Sequence, residues 1–314
     1  MGHKLSVCIP SYNQVRFIRA ALDSVLEQAY EDFELLVIDD CSTDGTQEIV
    51  ADYAARDRRV RLIANRVNRG MVNNWNACLE AARGEYVKFV FGDDLLVSPE
   101  ALGRMVTAMD ADASVSLVAS SRVLIDADGL QTGSAAPYTR EAVISGTEVI
   151  THCLVAQRNM VGEPTAVLFR KRQAARGFDP RYRQYVDLEM WFNLLEQGAF
   201  RYLREPLVAF RRHGDQQTEV NVRNLVHIEE LLCLYREYLD RPYVRLSTFG
   251  KRFLVLSQQY RIWKLYCKGT ISRQEAETRI ESRYGLRRFL WHLPLYKVLN
   301  PLWKVRILMA RQFR

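Results

Sequence analysis

The sequence predicts an α/β protein in which a mostly parallel sheet, covered by helices on both faces, is followed by a helical C-terminal region. Over the first hundred residues, short apolar runs alternate with segments whose apolar residues recur every three or four positions. Buried parallel strands show the first pattern and amphipathic helices show the second. Their alternation at this spacing is typical of right-handed βαβ units.

The individual strands and helices follow from these patterns in order along the chain. In the first hundred residues, strands are predicted at 5–9, 33–38, 60–64 and 86–91, and helices from residue 17, near 46–55 and at 71–82. Beyond Pro99 the pattern is mixed, with helices up to Met109 and from Asp187, strands near 115–119, 123–126, 166–170 and 203–210, and a loop at 129–137. Helices follow at 220–239, 244–266 and 272–283. We therefore predict two domains, residues 1–215 and 216–314.

The composition is that of an ordinary globular protein. The chain has 314 residues, of which 48% are apolar and 26% are charged, so it can bury a substantial core. Its six cysteines lie far apart and include no CxxC pair, which argues against a disulfide framework and a zinc site. Reduced thiols and the lack of a basic-then-apolar leader favour a cytoplasmic location. No run approaches the roughly 20 apolar residues of a membrane-spanning helix.

The net charge of +7 is concentrated at the C-terminal end. The segment 282–314 contains eight lysines and arginines, no acidic residue, and six aromatic residues of the Phe, Trp and Tyr types. Such side chains favour the surface of an anionic membrane, so one prediction is peripheral attachment to the inner face of the membrane. The alternative is a helical pair whose aromatic residues form a core. Nucleic-acid binding is not predicted, because no recognition motif accompanies the charge.

Four polar clusters lie where a ligand crevice would form. They are residues 10–13, Asp39–Asp40, residues 68–70 and Asp93–Asp94. Loops at the carboxyl ends of parallel strands line the crevice of an open α/β sheet. Adjacent carboxylates repel each other unless a cation or a hydrogen-bond donor compensates them. The pair at 93–94 therefore predicts a Mg²⁺ or Mn²⁺ site that also binds the phosphates of a substrate.

Asp187 and the segment 210–213 are further candidates. Asp187 begins a helix whose apolar positions share its face, so a buried helix could hold its carboxylate at the crevice as a general base. The alternative is an acidic residue that complements the helix dipole. In the segment 210–213, Arg211 could bind phosphate and His213 could bind a metal, and a basic surface loop is the alternative.

The sequence also limits the enzyme class. It contains neither a P-loop motif nor the glycine-rich fingerprint of dinucleotide-binding proteins. A nucleotidyltransferase is the rival enzyme class, but the glycine-rich basic loop typical of that class does not follow the first strand. A catalytically silent module that binds a sugar or a nucleotide is the rival outside enzymes.

Six segments together resemble the family 2 glycosyltransferases with a GT-A fold. They are residues 9–13 (IPSYN), 37–46 (VIDDCSTDGT), 82–86 (ARGEY), 92–94 (GDD), 187–191 (DLEMW) and 211–213 (RRH). The segments occur in the family's order over roughly residues 4–215. The resemblance implies a Rossmann-like sheet and the inverting transfer of a sugar from a nucleotide diphosphate, typically UDP. The acceptor would be a hydroxyl of a glycan or lipid-linked molecule, in cell-surface polysaccharide synthesis.

The resemblance also implies roles for the matching residues. The nucleotide-sugar donor would be bound by Pro10, Tyr12, Asn13, Asp40, Asn68, Gly70, Asn76, Asp93 and Arg211. Within this set, Asp40 would contact the base and Asp93 the ribose. Asp94 and His213 would bind the metal, Mn²⁺ or Mg²⁺, and Asp187 would be the general base. One position departs from the family, whose members often carry an aspartate three positions before the metal-binding one, where this chain has a phenylalanine at position 91.

Overall fold

A computed structural model describes residues 3–214, 216, 218, 221, 224–280 and 296. The chain forms two compact units, one of residues 1–150 and 159–216 and the other of residues 151–158 and 217–314. The predicted domains differ from these units in residue 216 and in residues 151–158, which contact the C-terminal helices. The Tyr235 hydroxyl donates to the Leu154 carbonyl at 3.1 Å, and Gln157 Nε2 donates to Ser257 Oγ at 2.7 Å.

The first half of the sheet consists of parallel strands. β1 (Leu5–Ser11), β2 (Phe33–Asp39), β3 (Val60–Ala64) and β4 (Tyr86–Phe89) lie in the order β3-β2-β1-β4. They are connected by α1 (Ile18–Leu26), α2 (Thr46–Arg56) and α3 (Met71–Ala81). β1 and β2 are buried over almost their whole length, as expected for parallel strands covered on both faces. The predicted α/β class is confirmed.

The second half of the sheet mixes parallel and antiparallel pairing. From β4 the sheet continues through β9 (Val167–Arg170), β6 (Val115–Ile125) and β10 (Ala199–Arg211) to the two-residue β5 (Leu95–Leu96). β10 is parallel to β6, whereas β9 is antiparallel to both of its neighbours. The other elements that precede the end of β10 are α4 (Ala101–Asp110), β7 (Gln131–Ala135), β8 (Ala142–Ile144), α5 (Gly146–Ala156) and α6 (Val186–Leu195).

Strand β6 corrects two predictions. Residues 115–126 were predicted as two strands separated by the polar sequence at 120–122, but these residues lie buried inside one continuous strand. The backbone of β6 pairs with β10 along one edge and with β9 and then β7 along the other, which holds the polar residues in the sheet. The predicted loop at 129–137 contains β7, because residues 131–135 complete a hairpin with β6.

One cluster of buried side chains fixes the strands. Leu22 of α1 and Leu102 of α4 are fully buried in it together with Val7 of β1 and Val37 of β2. Burial of one such side chain stabilises a fold by about 1.5–3 kcal/mol. The polar strand ends are therefore attached to a rigid core.

The second unit contains the predicted C-terminal helices, α7 (Val226–Tyr238), α8 (Thr248–Cys267) and α9 (Arg273–Ile280). Ser247 caps α8, since its Oγ accepts a hydrogen bond from the Gly250 N–H at 3.1 Å. Of the predicted membrane-binding segment 282–314, only Tyr296 lies within the described residues, where its ring stacks on Phe253 at 5.1 Å. Within the part of the chain that the structure describes, no helix is both long enough and apolar enough to span a membrane.

Candidate active site

Three of the predicted polar clusters follow strands that end at one edge of the sheet. Ser11 at the end of β1 pairs with Asp39 at the end of β2, and Cys8 of β1 pairs with Phe89 at the end of β4. Residues 10–13, Asp39–Asp40 and residues 92–94 continue from these ends. This edge is the binding crevice that an open α/β sheet provides.

Asp40 is buried beside this crevice, and its carboxylate holds the loop before α3. It accepts hydrogen bonds from Asn65 Nδ2 and from the backbone N–H groups of Arg69 and Gly70, all at 2.8 Å. Gly70 has φ +82°, a conformation that glycine adopts without a Cβ clash. The exposed Asn68 side chain also accepts from the Gly70 N–H, at 3.0 Å. The predicted contact between Asp40 and a nucleotide base stays a prediction.

Asp39 is equally buried and is bound by the turn that follows it. Its carboxylate accepts hydrogen bonds from the N–H and hydroxyl of Ser42, at 2.8 and 2.5 Å, and from Gln47 Nε2 at 2.6 Å. Ser42 Oγ in turn accepts the Asn13 N–H at 2.8 Å. The two acidic side chains at this strand end are therefore compensated by uncharged donors.

Tyr12 is the exposed aromatic residue at this edge, with half of its surface accessible. It lies between Pro10, which is partly exposed, and Asn13, whose backbone is left-handed with φ 52°. The Asn13 side-chain oxygen accepts a hydrogen bond from the Thr43 N–H at 3.0 Å, which fixes this turn. An exposed ring held in this way offers a surface on which a planar base can stack.

Asn76 makes a contact that the sequence did not predict. Its side chain forms two hydrogen bonds with the backbone of Phe178, donating to the carbonyl at 2.9 Å and accepting from the N–H at 2.7 Å. Asn76 also lines a cleft of about 360 Å³ together with Arg69 and Lys171. In this structure Asn76 attaches α3 to the segment that contains Phe178.

Asp94 is fully buried, and both of its carboxylate oxygens accept hydrogen bonds from the chain. The Thr165 hydroxyl donates to Oδ2 at 2.5 Å, and the Arg211 N–H donates to Oδ1 at 2.9 Å. Burial, and then the charge of Asp93, raise the pKa of Asp94 well above its ordinary value. Each oxygen keeps a further lone pair, but the carboxylate is fully buried, so a metal ion could reach it only after neighbouring groups move. The predicted metal-binding role of Asp94 stays a prediction.

Asp93, unlike Asp94, is not fully buried, and its carboxylate faces the side chains of two other residues. Its Oδ2 lies 3.1 Å from Nε2 of His213 and 3.4 Å from Nε2 of Gln216. The Asp93 and His213 side chains are 13% and 10% exposed, so the pair is partly shielded but not sealed. The ring of Phe17 packs against the imidazole with a centroid distance of 5.1 Å. The structure therefore brings His213 to Asp93, whereas the sequence analysis had placed it with Asp94.

Asp93 and His213 fit a divalent cation that also binds a diphosphate. Mg²⁺ and Mn²⁺ are commonly held by one or two carboxylates plus substrate phosphates, and imidazole is a good ligand for transition metals. Nδ1 of His213 is buried without a hydrogen-bond partner among the described residues. No cluster of three or more His, Cys, Asp or Glu side chains suited to a metal ion occurs among those residues, so phosphate oxygens would have to complete the coordination.

Arg211 contacts the backbone of Asp93 and of the segment around Asp126. Its Nε donates to the Asp93 carbonyl at 2.7 Å, and its Nη1 donates to the Asp126 carbonyl at 2.9 Å. The guanidinium also lies 4.9 Å from the centre of the Phe17 ring. Arg211 is buried and holds the backbone of Asp93, and its predicted direct contact with the donor stays a prediction.

Asp187 lies in the first turn of α6, as predicted, and the apolar face of this helix is buried. Its carboxylate accepts hydrogen bonds from the Leu188 N–H at 2.7 Å and from Asn159 Nδ2 at 3.0 Å. Burial raises the pKa of Asp187 to about 7 against the lowering effect of the Leu188 hydrogen bond. A general base works best with a pKa near the operating pH, so this carboxyl is suited to the predicted role.

The loop from residue 159 to residue 165 links these groups, and the sequence analysis missed it. Asn159 binds Asp187 through its amide nitrogen, and its side-chain oxygen accepts the N–H groups of Val161 and Gly162, both at 2.9 Å. Thr165 at the other end of the loop binds Asp94. Nothing in the composition of this loop marks it, because its glycine and proline are ordinary turn residues.

Lys88 is a second residue that the sequence analysis missed. It lies fully buried in β4, and its Nζ donates to the carbonyls of Phe89, at 2.8 Å, and Thr165. Burial lowers the pKa of Lys88 to about 7, while the charge of Asp94 opposes this change. A lysine inside an otherwise apolar strand was the available signal. Lys88 holds Thr165, and through it Asp94, in place.

Solved structures identify the fold. Staphylococcus aureus TarS (residues 1–349, with UDP-GlcNAc) aligns with a TM-score of 0.64 at 18% identity, over 88% of this chain and 78% of that structure. Mannosyltransferase PcManGT from Pyrobaculum calidifontis, solved with GDP-Man and Mn²⁺, aligns with a TM-score of 0.58 at 17% identity, over 99% of this chain and 88% of that structure. The chain therefore has the GT-A glycosyltransferase fold.

Sequence relatives identify the family. A family model described as glycosyl transferase family 2 matches residues 6–156. Bacillus subtilis EpsE, described as a candidate glycosyltransferase, is 30% identical over 68% of this chain and 75% of EpsE. TuaG of the same organism, described as a candidate teichuronic acid biosynthesis glycosyltransferase, is 29% identical over 66% of this chain and 78% of TuaG. The chain belongs to glycosyl transferase family 2, and it is a transferase enzyme.

Proposed function

We propose that this chain is an inverting glycosyltransferase that moves a sugar from a nucleotide diphosphate to a hydroxyl group of a glycan or a lipid-linked acceptor. One observation carries the proposal. The loop at 159–165 binds Asp187 at one end and Asp94, next to Asp93, at the other. A candidate general base and a candidate diphosphate site are thus held by the same short segment.

The donor end of the proposed site is the edge formed by β1, β2 and β4. The base of the nucleotide would stack on the exposed ring of Tyr12, beside the loop that Asp40 holds. Pro10 and Asn13 complete this pocket. The presence of UDP-GlcNAc in the TarS structure supports a UDP-sugar donor, and GDP-Man in the PcManGT structure makes GDP-sugars the second group to test.

Asp93 and His213 would hold Mn²⁺ or Mg²⁺ at the diphosphate, and Mn²⁺ in the PcManGT structure supports this part of the proposal. When bound, the ion supplies positive charge that stabilises the departing diphosphate. Arg211 holds the Asp93 backbone, and Asp94 binds Thr165 and the Arg211 N–H. This assignment gives the metal to Asp93, in place of the Asp94 that the sequence analysis favoured.

Asp187 is the proposed general base. Its carboxylate takes the proton of the acceptor hydroxyl, whose oxygen then bonds to the anomeric carbon from the face opposite the diphosphate. The bond between that carbon and the diphosphate oxygen breaks, and the anomeric configuration inverts. The hydrogen bond from Asn159 orients the carboxylate, and a pKa of about 7 lets it accept a proton near neutral pH.

The acceptor belongs to surface polysaccharide synthesis in this proposal, which the teichuronic acid role in the description of TuaG supports. The basic and aromatic segment 282–314 would meet a lipid-linked acceptor at the inner face of the membrane. Co-sedimentation of the full chain with anionic liposomes tests this part. Binding that weakens with salt is expected, and no binding at low salt would contradict it.

The test of the proposed function begins with a screen of UDP-sugars and GDP-sugars for thermal stabilisation that depends on Mn²⁺. Donors that bind are then tested for release of the nucleoside diphosphate and for the anomeric configuration of the product by NMR. Inversion is expected, and a product that retains the configuration would contradict the mechanism. A chain that no nucleotide sugar stabilises would contradict the proposed function.

The variant Asp187→Asn tests the base directly. Removal of a general base lowers turnover by about 10²–10⁴-fold, while binding of the donor should not change. Asp52→Asn is the matched control, since Asp52 is an exposed residue of α2 that pairs with Arg56 at 2.6 Å. Turnover of Asp187→Asn near that of the control would remove Asp187 from the base role.

A further inference from the structure

Glu163 is the exception within a buried stretch of the chain. Residues 160–166 are buried except for Glu163, whose side chain is 30% exposed. The backbone around it is fixed, because Asn159 binds the N–H and carbonyl of Gly162, and Trp191 Nε1 donates to the same carbonyl at 2.9 Å. Gly162 has φ +137°, which a side chain would not tolerate well. The fold therefore leaves one acidic side chain partly exposed in an otherwise buried loop.

Arg122 holds this carboxylate. Its Nη2 donates to Glu163 Oε1 at 3.1 Å, and its Nε forms an ion pair with Oε2. Arg122 lies in the middle of β6 and is only 8% exposed. Its Nη1 is buried and has no hydrogen-bond partner among the described residues. A guanidinium carries five donors in a rigid fork, so Arg122 fixes Glu163 through Nε and Nη2, while its Nη1 is enclosed by the protein.

Glu163 also lies between the two functional ends of the proposed site. It is two residues from Thr165, which binds Asp94, and four residues from Asn159, which binds Asp187. Its charge acts on both carboxyls, contributing to the raised pKa of Asp187 and to that of Asp94. In the proposed mechanism the transferred sugar lies between these two ends, because it is bonded to the diphosphate at one end and attacked by the activated acceptor at the other.

We propose that Glu163, held by Arg122, binds hydroxyl groups of the transferred sugar and thereby selects a neutral sugar donor. The inference rests on the proposed function and names the substrate class of the same site. A carboxylate oxygen accepts hydrogen bonds from hydroxyls, and such charge-assisted bonds are among the stronger ones in proteins. The same carboxylate repels a sugar that carries its own carboxylate.

A purely structural ion pair would have other properties. Its two partners would satisfy each other, and it would tolerate replacement by apolar groups of similar volume. Here Arg122 Nη1 has no hydrogen-bond partner in the described part of the chain, and the Glu163 side chain is partly exposed. The Glu141–Arg201 pair at 3.6 Å is the useful contrast, since it lies outside the site and its carboxylate is 45% exposed.

The experiment compares the affinity of the full chain for a nucleoside diphosphate with its affinity for the corresponding sugar nucleotide. Isothermal titration is carried out in Mn²⁺ with UDP and UDP-glucose, and in parallel with GDP and GDP-mannose. The measured quantity is the gain in affinity due to the sugar, which is the ratio of the dissociation constant for the nucleoside diphosphate to that for the sugar nucleotide. Wild type, Glu163→Gln and Glu163→Ala are compared, with Glu141→Ala as the matched control. Thermal unfolding of every variant verifies that it is folded.

We expect the sugar to increase the affinity of wild type and Glu141→Ala, and Glu163→Ala to lose about ten-fold or more of that gain. Binding of the diphosphate alone should not change in any variant. A full gain in folded Glu163→Ala would overturn the proposal. The result also separates the two hypotheses, because failure of the proposed function appears as wild type that binds no nucleotide at all.

Selectivity provides the second measurement. UDP-glucuronate differs from UDP-glucose only by oxidation at C6, and GDP-mannuronate differs from GDP-mannose in the same way. Wild type should bind the uronate donor about ten-fold more weakly than the neutral one. Glu163→Gln, which keeps the shape of the side chain but removes its charge, should reduce that difference. Equal discrimination by Glu163→Gln and wild type would contradict the selection of a neutral sugar by Glu163.

Discussion

Two pairs of adjacent aspartates lie at or shortly after the ends of β2 and β4, the two strands that flank β1, and the fold treats them differently. Asp39 accepts three hydrogen bonds from the turn and helix that follow it, and Asp40 accepts three from the loop before α3, all from uncharged groups. In the second pair, Asp94 is sealed by Thr165 and by the Arg211 N–H, whereas Asp93 faces an imidazole.

The difference shows what separates a loop-shaping carboxylate from one that can change partners. Uncharged donors compensate a buried carboxylate permanently, because their removal leaves unsatisfied groups. An imidazole can also bind a metal ion, so Asp93 and His213 are the residues of this pair that would hold a cation. The first pair should therefore matter for stability and the second pair for metal-dependent turnover.

The largest expected effect is a loss of activity when His213, which contacts Asp93 of the second pair, is replaced. His213→Gln keeps a polar side chain but removes the imidazole, and we expect kcat/KM with the donor to fall by about 100-fold or more in Mn²⁺. The midpoint of thermal unfolding should change little. His3→Ala is the matched control, since His3 is exposed at the N-terminal end of the chain. Unchanged Mn²⁺ dependence of activity in His213→Gln would contradict the assignment of the metal to the second pair.

The first pair should give the next largest effect, and it should appear in stability. Asp40→Ala removes the acceptor of three hydrogen bonds, so the free energy of unfolding should fall by about 1–3 kcal/mol. Urea denaturation measures this change. The concentration of Mn²⁺ that gives half-maximal activity should not change, and a large increase would show that Asp40 belongs to the metal site.

Thr165 should have a smaller effect, because it acts on Asp94 alone among the four aspartates. Thr165→Ala removes the hydroxyl that donates to Asp94 and accepts from the Phe91 N–H, and it should cost about 1 kcal/mol of stability. Thr165→Ser keeps the hydroxyl and should retain most of that stability. Equal losses in both variants, measured by urea denaturation, would assign the effect to the methyl group of threonine.

Asp187 should make the stability of the fold depend on pH. Its pKa in the folded chain, about 7, lies above the ordinary value of 3.8, so the folded state holds the proton more tightly than the unfolded state. This contribution to stability is present below pH 4 and is lost as the pH rises toward 7. Compared with wild type, Asp187→Asn should therefore unfold at a relatively higher temperature at pH 8 than at pH 5. An equal difference in unfolding temperature between wild type and Asp187→Asn at both pH values would contradict the raised pKa.

The sequence was sufficient to predict the parallel half of the sheet and the edge at which its polar clusters lie. Apolar runs such as that of β1 are local patterns, and polar residues at their ends reach the crevice whatever the rest of the chain does. The burial of the apolar face of α6 and the position of Asp187 were predictable for the same reason.

The parts that were missed depend on contacts between distant segments. Which aspartate of the pair at 93–94 is sealed depends on Thr165, 71 positions along the chain, and the orientation of Asp187 depends on Asn159, 28 positions before it. The continuity of β6 through its polar residues depends on pairing with β10. Spacing in one sequence carries no signal for such contacts, so the two aspartates could be recognised as a pair but not told apart.

The most direct test of the account is the affinity for Mn²⁺ in the presence of UDP, and in parallel GDP, measured by the EPR signal of free Mn²⁺. The variants are Asp93→Asn and Asp94→Asn, each verified as folded by thermal unfolding. We expect Asp93→Asn to weaken Mn²⁺ binding by about 100-fold and Asp94→Asn to change it by less than about ten-fold. The reverse order would contradict the assignment of the metal to Asp93 and His213 and restore Asp94 as the ligand.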